Sequence, residues 1–93
     1  MPVSLLKVPA DVRNLIRRLH PELKRKVRAA LAEILNDPAC GKALKEELEG
    51  YWSLRMGRIR IIYRPVVESV EIVAIGPRET IYQEAARQMR VQR

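Results

Sequence analysis

Phenylalanine is absent from this 93-residue sequence, and aromatic residues make up only 4% of it. Any core must therefore be filled by Ile, Leu, Val and Ala. The 47% hydrophobic content is enough for one domain over residues 1–93 and too little for two. A core of this size leaves a stability on the order of 5 kcal/mol. The single cysteine, Cys40, excludes an internal disulfide and fits a reducing cytoplasm as an inert thiol. His20 is the only histidine, and no second Cys or His stands at metal-ligand spacing. Neither a metal nor a cofactor is expected. No apolar run approaches the ~18 residues that cross a bilayer. The first seven residues lack the basic start, long apolar stretch and cleavage site of a signal peptide. The expectation is a cytoplasmic protein with no membrane partner.

Lysine is also missing from the second half. The first fifty residues mix Lys and Arg, whereas every basic residue after residue 50 is Arg. Guanidinium groups bind phosphate bidentately and stay charged at any working pH, although a codon bias would produce the same excess. The formal net charge is +7 and the sequence pI about 10.2. Such a balance points to nucleic acid or an acidic protein as partner.

What is present falls into a short series of elements. Residues 3–8 are β-prone and stop at Pro9, as a first or edge strand does. Val12, Leu15, Ile16 and Leu19 repeat at helical spacing, with Arg13, Arg17 and Arg18 opposite them. His20-Pro21 breaks that helix, and Pro21 suits the first position of a second one running to about Asn36. That helix has Leu23, Val27, Ala30, Leu31 and Ile34 on one face. The two form an αα-hairpin. A connector over 39–49 has a helical possibility at 42–48, with Glu46, Glu47 and Glu49 on its solvated side.

Residues 50–64 then read as two antiparallel strands joined near Gly57. Trp52, Leu54 and Met56 alternate with Tyr51, Ser53 and Arg55; Ile59, Ile61 and Tyr63 alternate with Arg58, Arg60, Ile62 and Arg64. A third strand over 70–75 ends at Gly76-Pro77-Arg78, and helical spacing returns with Ile81, Ala85 and Met89. The predicted order is β-α-α-β-β-β-α. In this α+β fold the helical hairpin covers one face of a small antiparallel sheet, the other face stays open under a row of arginines, and a helix ends the chain.

The run from Leu48-Glu-Gly-Tyr-Trp-Ser through Arg-Ile-Arg-Ile-Ile-Tyr to Arg64 resembles the RelE/ParE superfamily of type II toxin–antitoxin toxins. So does the later run Val-Glu-Ile-Val-Ala-Ile-Gly-Pro-Arg-Glu-Thr-Ile ending at Tyr82. The match is best to the RelE-type ribosome-dependent mRNA interferases. The resemblance implies cleavage of mRNA in the ribosomal A site, with the ribose 2′-hydroxyl attacking the adjacent phosphodiester. It also implies a RelB-like antitoxin, acidic and partly disordered when free, together with the ribosome and mRNA as partners.

Position by position, Arg60 matches the family's arginine at the scissile phosphate, Arg78 the one that stabilises the leaving group, and Tyr82 the tyrosine that orients a nucleotide. Arg55 falls at a position often basic in the family. Arg55, Arg58 and Arg64 are read as RNA contacts; for Arg58 and Arg64 a purely solubilising role stands beside that reading. A cation at Arg78 opposes the dipole of the helix it opens, which favours a functional reason for it. The family's lysines are replaced here by Tyr51 and Ser53, so the general base is unassigned. A ParE-like gyrase poison without RNA chemistry, or a degenerate toxin that retains antitoxin binding, fits the same fold.

Overall fold

The computed structural model describes residues 5–91, with side chains over 6–77 and 80–87. β1 (Leu5–Lys7) leads into α1 (Ala10–Arg18) and α2 (Pro21–Asn36). Single-turn 3-10 helices at Pro38–Cys40 and Glu46–Leu48 flank β2 (Lys42–Ala43). β3 (Trp52–Met56), β4 (Ile59–Val66) and β5 (Ser69–Pro77) form a meander, and α3 (Arg78–Val91) follows without a linker. The expected α+β order is present, with β2 added inside the connector. The lone histidine starts α2: His20 Nδ1 accepts from the Glu22 N–H at 3.3 Å. This side chain therefore acts as an N-cap.

The strands lie in the order β1-β5-β4-β3-β2. β1 departs from the antiparallel expectation, since it runs parallel to β5 with Leu6 opposite Val70. The helical hairpin, β2, β3 and β4 all lie between these two strands in the chain, and that long crossover permits parallel pairing. The β3–β4 turn places Gly57 at φ +63°, a conformation that glycine adopts without a steric penalty.

The helical hairpin covers one face as expected. Val12 of α1 and Val27, Ala30, Leu31 and Ile34 of α2 pack against Ile61, Tyr63, Val70, Ile72 and Ile75. The opposite face is not open, which corrects the sequence reading. There Ile81 and Ala85 of α3 pack on Tyr51, Ile62, Val73 and Ala74. A bulge contributes: Ile62 faces Ala74 and Tyr63 faces Ile72, which leaves Val73 as the extra residue. The unbroken apolar run over 72–75 marks a strand buried on both faces, unlike an alternating one.

Tyr63 anchors the connector. Its side chain is fully buried, its hydroxyl donates to the Pro38 carbonyl at 2.7 Å, and it accepts from the Gly41 N–H at 3.1 Å. Burial raises its pKa well above the ordinary phenol range. Gly41 has no room for a side chain, because a Cβ there would stand 2.6 Å from the Tyr63 Oη and 2.7 Å from the Ser53 carbonyl oxygen. The hydroxyl thereby holds the 3-10 turn at Pro38–Cys40 and the start of β2 against the sheet.

Candidate nucleic-acid interface

Arg55 on β3 and Arg60 on β4 are direct cross-strand partners, and both project to the α3 side of the sheet. Like charges placed opposite each other in a sheet repel. Neither guanidinium is paired with a carboxylate among the described residues, where the ion pairs are Arg64–Glu71 and Arg87–Glu84. Among the described residues Arg55 has one long hydrogen bond, with Nε donating to the Gly57 carbonyl at 3.4 Å.

On its other side Arg60 faces Gly76. A Cβ at Gly76 would stand 3.4 Å from Ile81 Cδ1, an ordinary contact distance, so α3 begins close over the strand end. That approach sets the Tyr82 ring under Arg60, with the guanidinium carbon 5.9 Å from the ring centroid. Such a cation–π contact contributes about 0.5–1 kcal/mol at a partly exposed site.

Arg58 is exposed in the β3–β4 turn. Arg78 opens α3 directly after Pro77, which pairs with Ile59; its side chain lies outside the described residues. The backbone thus brings Arg55, Arg58, Arg60, Tyr82 and the start of α3 to one corner of the molecule. The side chains of Met89 and Arg90, and Arg93, also lie outside the described residues.

Arg64 is not part of this corner. It lies four residues along β4 from Arg60, about 13 Å away at the usual strand rise. There its Nη2 pairs with Glu71 Oε1 at 2.7 Å, and its guanidinium sits 5.6 Å from the centre of the Tyr51 ring. The hydrogen bond to Glu71 raises its pKa further. Acid and ring hold this arginine within the sheet face.

Beside Tyr82 a groove of about 360 Å³ runs between the Glu46–Leu48 turn and α3, lined by Lys45, Glu46, Glu47, Leu48, Gln83 and Ala86. Glu46 takes φ +58°, a left-handed conformation uncommon outside glycine. Solvent reaches Glu46, Glu47 and Glu49 as expected, but the first two also face this groove. Sequence reading missed that placement. The two-residue β2 that turns the connector under α3 is too short to leave a period-2 signal.

Among the described residues no three His, Cys, Asp or Glu side chains gather to hold a metal. No helix there is long and apolar enough to cross a membrane.

This arrangement of sheet, helical hairpin and terminal helix is the RelE-like fold. An arginine-to-alanine double mutant of free E. coli RelE superposes with a TM-score of 0.77 at 18% identity, covering 96% of this chain and 99% of that one. The RelBE2 toxin–antitoxin complex of Mycobacterium tuberculosis gives 0.71 at 28% identity, over 84% and 94%. The RelE–RelB complex of Pyrococcus horikoshii gives 0.66 at 16% identity, over 82% and 96%. No curated protein matches the sequence significantly.

The family model for the ParE toxin of the type II toxin–antitoxin system parDE matches residues 7–82. The chain belongs to this toxin family, within the RelE/ParE superfamily.

Proposed function

We propose that the chain is a ribosome-dependent mRNA endoribonuclease, held in check by a cognate antitoxin. The observation that carries this reading is the corner itself. Two facing guanidinium groups, without a carboxylate partner among the described residues, sit beside an aromatic ring that one of them overlies. A sheet tolerates that repulsion best when an anion arrives between the charges, and a phosphodiester supplies one.

In this reading Arg60, assisted by Arg55, holds the non-bridging oxygens of the scissile phosphate and stabilises the charge that builds on the phosphorane. Tyr82 stacks on a nucleotide and aligns its 2′-oxygen with the leaving 5′-oxygen. Arg78 adds positive charge at the leaving side. Arginine is too weak an acid to donate a proton, so the 5′-oxygen takes its proton from water. The 2′-hydroxyl gives its proton to a carboxylate of the adjoining groove, Glu46 or Glu47. The products are a 2′,3′-cyclic phosphate and a 5′-hydroxyl. Arg58 contacts neighbouring phosphates, and Arg64 serves stability more than RNA.

Primer extension on mRNA bound to programmed ribosomes tests this. Arg60→Ala should reduce cleavage in the A-site codon by about 100-fold, the usual cost of one electrostatic stabiliser, while Arg64→Ala should leave it nearly unchanged. Equal losses in both variants would contradict the assignment. Poisoning of DNA gyrase is the second reading. It is favoured by the match to the ParE toxin model and by Tyr51 and Ser53 standing where RelE-type toxins place lysines.

A further inference from the structure

The proposed reaction uses one carboxylate of the groove beside Tyr82, yet the groove has two. Glu46 and Glu47 both line it, and neither is ion-paired among the described residues. The second acid has no part in the chemistry above.

The walls of the groove are fixed. Leu48 and Tyr82 pack against the core on the α3 side of the sheet. Two backbone hydrogen bonds tie the turn to the residue ahead of β3: the Leu44 N–H donates to the Tyr51 carbonyl at 2.9 Å, and the Tyr51 N–H donates to the Leu48 carbonyl at 3.0 Å. Within the turn, the Leu48 and Glu49 N–H groups donate to the Lys45 and Glu46 carbonyls, each at 3.1 Å.

The volume of about 360 Å³ lies within the ~300–1,000 Å³ of small-molecule clefts. Tyr82, Leu48 and Ala86 supply apolar sides, and Lys45, Glu46 and Glu47 a polar rim. One ammonium against two carboxylates leaves that rim negative, whereas the neighbouring corner is cationic. Phosphate is drawn to the corner and repelled by the groove. What enters the groove is the uncharged base of the same nucleotide.

We propose that this groove reads the base of the nucleotide stacked on Tyr82 and selects guanine. The inference rests on the reading of the corner as a phosphodiester site. An ionised carboxylate only accepts hydrogen bonds, and its two oxygens take two parallel N–H groups. Guanine presents two such donors side by side, N1–H and the 2-amino group, with the O6 acceptor next to them for the Lys45 ammonium. Adenine and cytosine each set one amino donor beside a bare ring nitrogen. Uracil sets a single N–H between two carbonyl oxygens. Each of these three turns a lone pair toward the carboxylate, and guanine does not. Since Tyr82 stacks on the nucleotide whose 2′-oxygen attacks, the cut falls on the 3′ side of guanine.

The test is an NMR titration of the ¹⁵N-labelled protein with the 3′-monophosphates of deoxyguanosine, deoxyadenosine, deoxycytidine and deoxyuridine. These carry base and phosphate but no 2′-hydroxyl, so binding is read without cleavage. The guanine nucleotide should shift the amides of residues 45–48 and 82–86 and bind about tenfold more tightly than the other three. The deoxyinosine counterpart, which lacks the 2-amino group alone, should lose most of that advantage. In the double variant Glu46→Gln with Glu47→Gln, which keeps the shape of both side chains, the four should bind within about twofold of one another. Equal affinity of the four for wild type, a preference that survives in the double variant, or no shifts at 45–48 with millimolar nucleotide would each overturn the proposal. Guanine-selective binding by a protein that leaves ribosome-bound mRNA intact would support the groove and remove the nuclease reading. Cleavage with no preference for guanine on the 5′ side of the cut would do the reverse, so the two fail separately.

Discussion

Replacing Tyr63 by Phe removes one oxygen atom and two hydrogen bonds, to the Pro38 carbonyl and from the Gly41 N–H. Both backbone groups are left in a part-buried setting. A buried polar group deprived of its partner costs about 1–3 kcal/mol, a large share of the stability available to so small a domain. For 60–100 residues each kcal/mol lowers Tm by roughly 4–8 °C, so a loss of about 2 kcal/mol should appear as a drop of about 8–16 °C in thermal unfolding followed by circular dichroism. The same oxygen has a second signature. An ordinary phenol titrates at about 10.0, and burial raises the folded-state value above that. The stabilising difference is fully present below about pH 10; above it the unfolded chain releases a proton that the folded chain keeps. Stability should then fall by up to about 1.4 kcal/mol per pH unit. Tyr63→Phe should lose this alkaline component relative to wild type. A variant as stable as wild type, with the same alkaline slope in urea titrations, would refute the anchoring role.

Gly41→Ala should destabilise by about 3 kcal/mol through overpacking; urea unfolding of this variant and of Gly41→Ala with Tyr63→Phe checks it. The double variant should not recover, because the clash with the Ser53 carbonyl remains. The Ser53 hydroxyl is buried without a hydrogen-bond partner among the described residues, so Ser53→Ala should be neutral or stabilising by up to about 1 kcal/mol, as read by Tm. Arg64→Ala should cost no more than about 1 kcal/mol, because its ion pair with Glu71 is partly solvated. Glu46→Gln and Glu47→Gln, assayed singly on programmed ribosomes, should separate the groove carboxylates: the one acting as base should lower cleavage by about 10²–10⁴-fold without changing Tm.

Much of the fold was legible because each helix carries its own period and its own stop. Val12, Ile16 and Leu19, then His20-Pro21, mark the hairpin in one dimension. The alternation over 51–64 likewise showed which side chains share a face, including Arg55 with Arg60 once the turn at Gly57 was placed. What lay outside local pattern was pairing at a distance. Nothing near residues 5–7 indicates that β1 joins β5, or that the pairing is parallel. The covering of the second face was partly legible: Ile62 interrupts the arginine row, and 72–75 is apolar throughout. Arg64 and Glu71 are seven residues apart on neighbouring strands, so their pairing depended on the register of β4 against β5. Of the corner, Arg60 and Tyr82 were singled out by resemblance, whereas the groove formed by Lys45, Glu46 and Glu47 depended on a two-residue strand with no sequence signal.

The central claim is that the arginine corner acts on RNA. One preparation of folded wild-type protein, assayed in parallel for A-site cleavage on programmed ribosomes and for inhibition of gyrase supercoiling, tests it most directly. The account predicts cleavage with supercoiling unaffected. Inhibited supercoiling with intact mRNA would contradict it and assign the fold to the gyrase-directed branch.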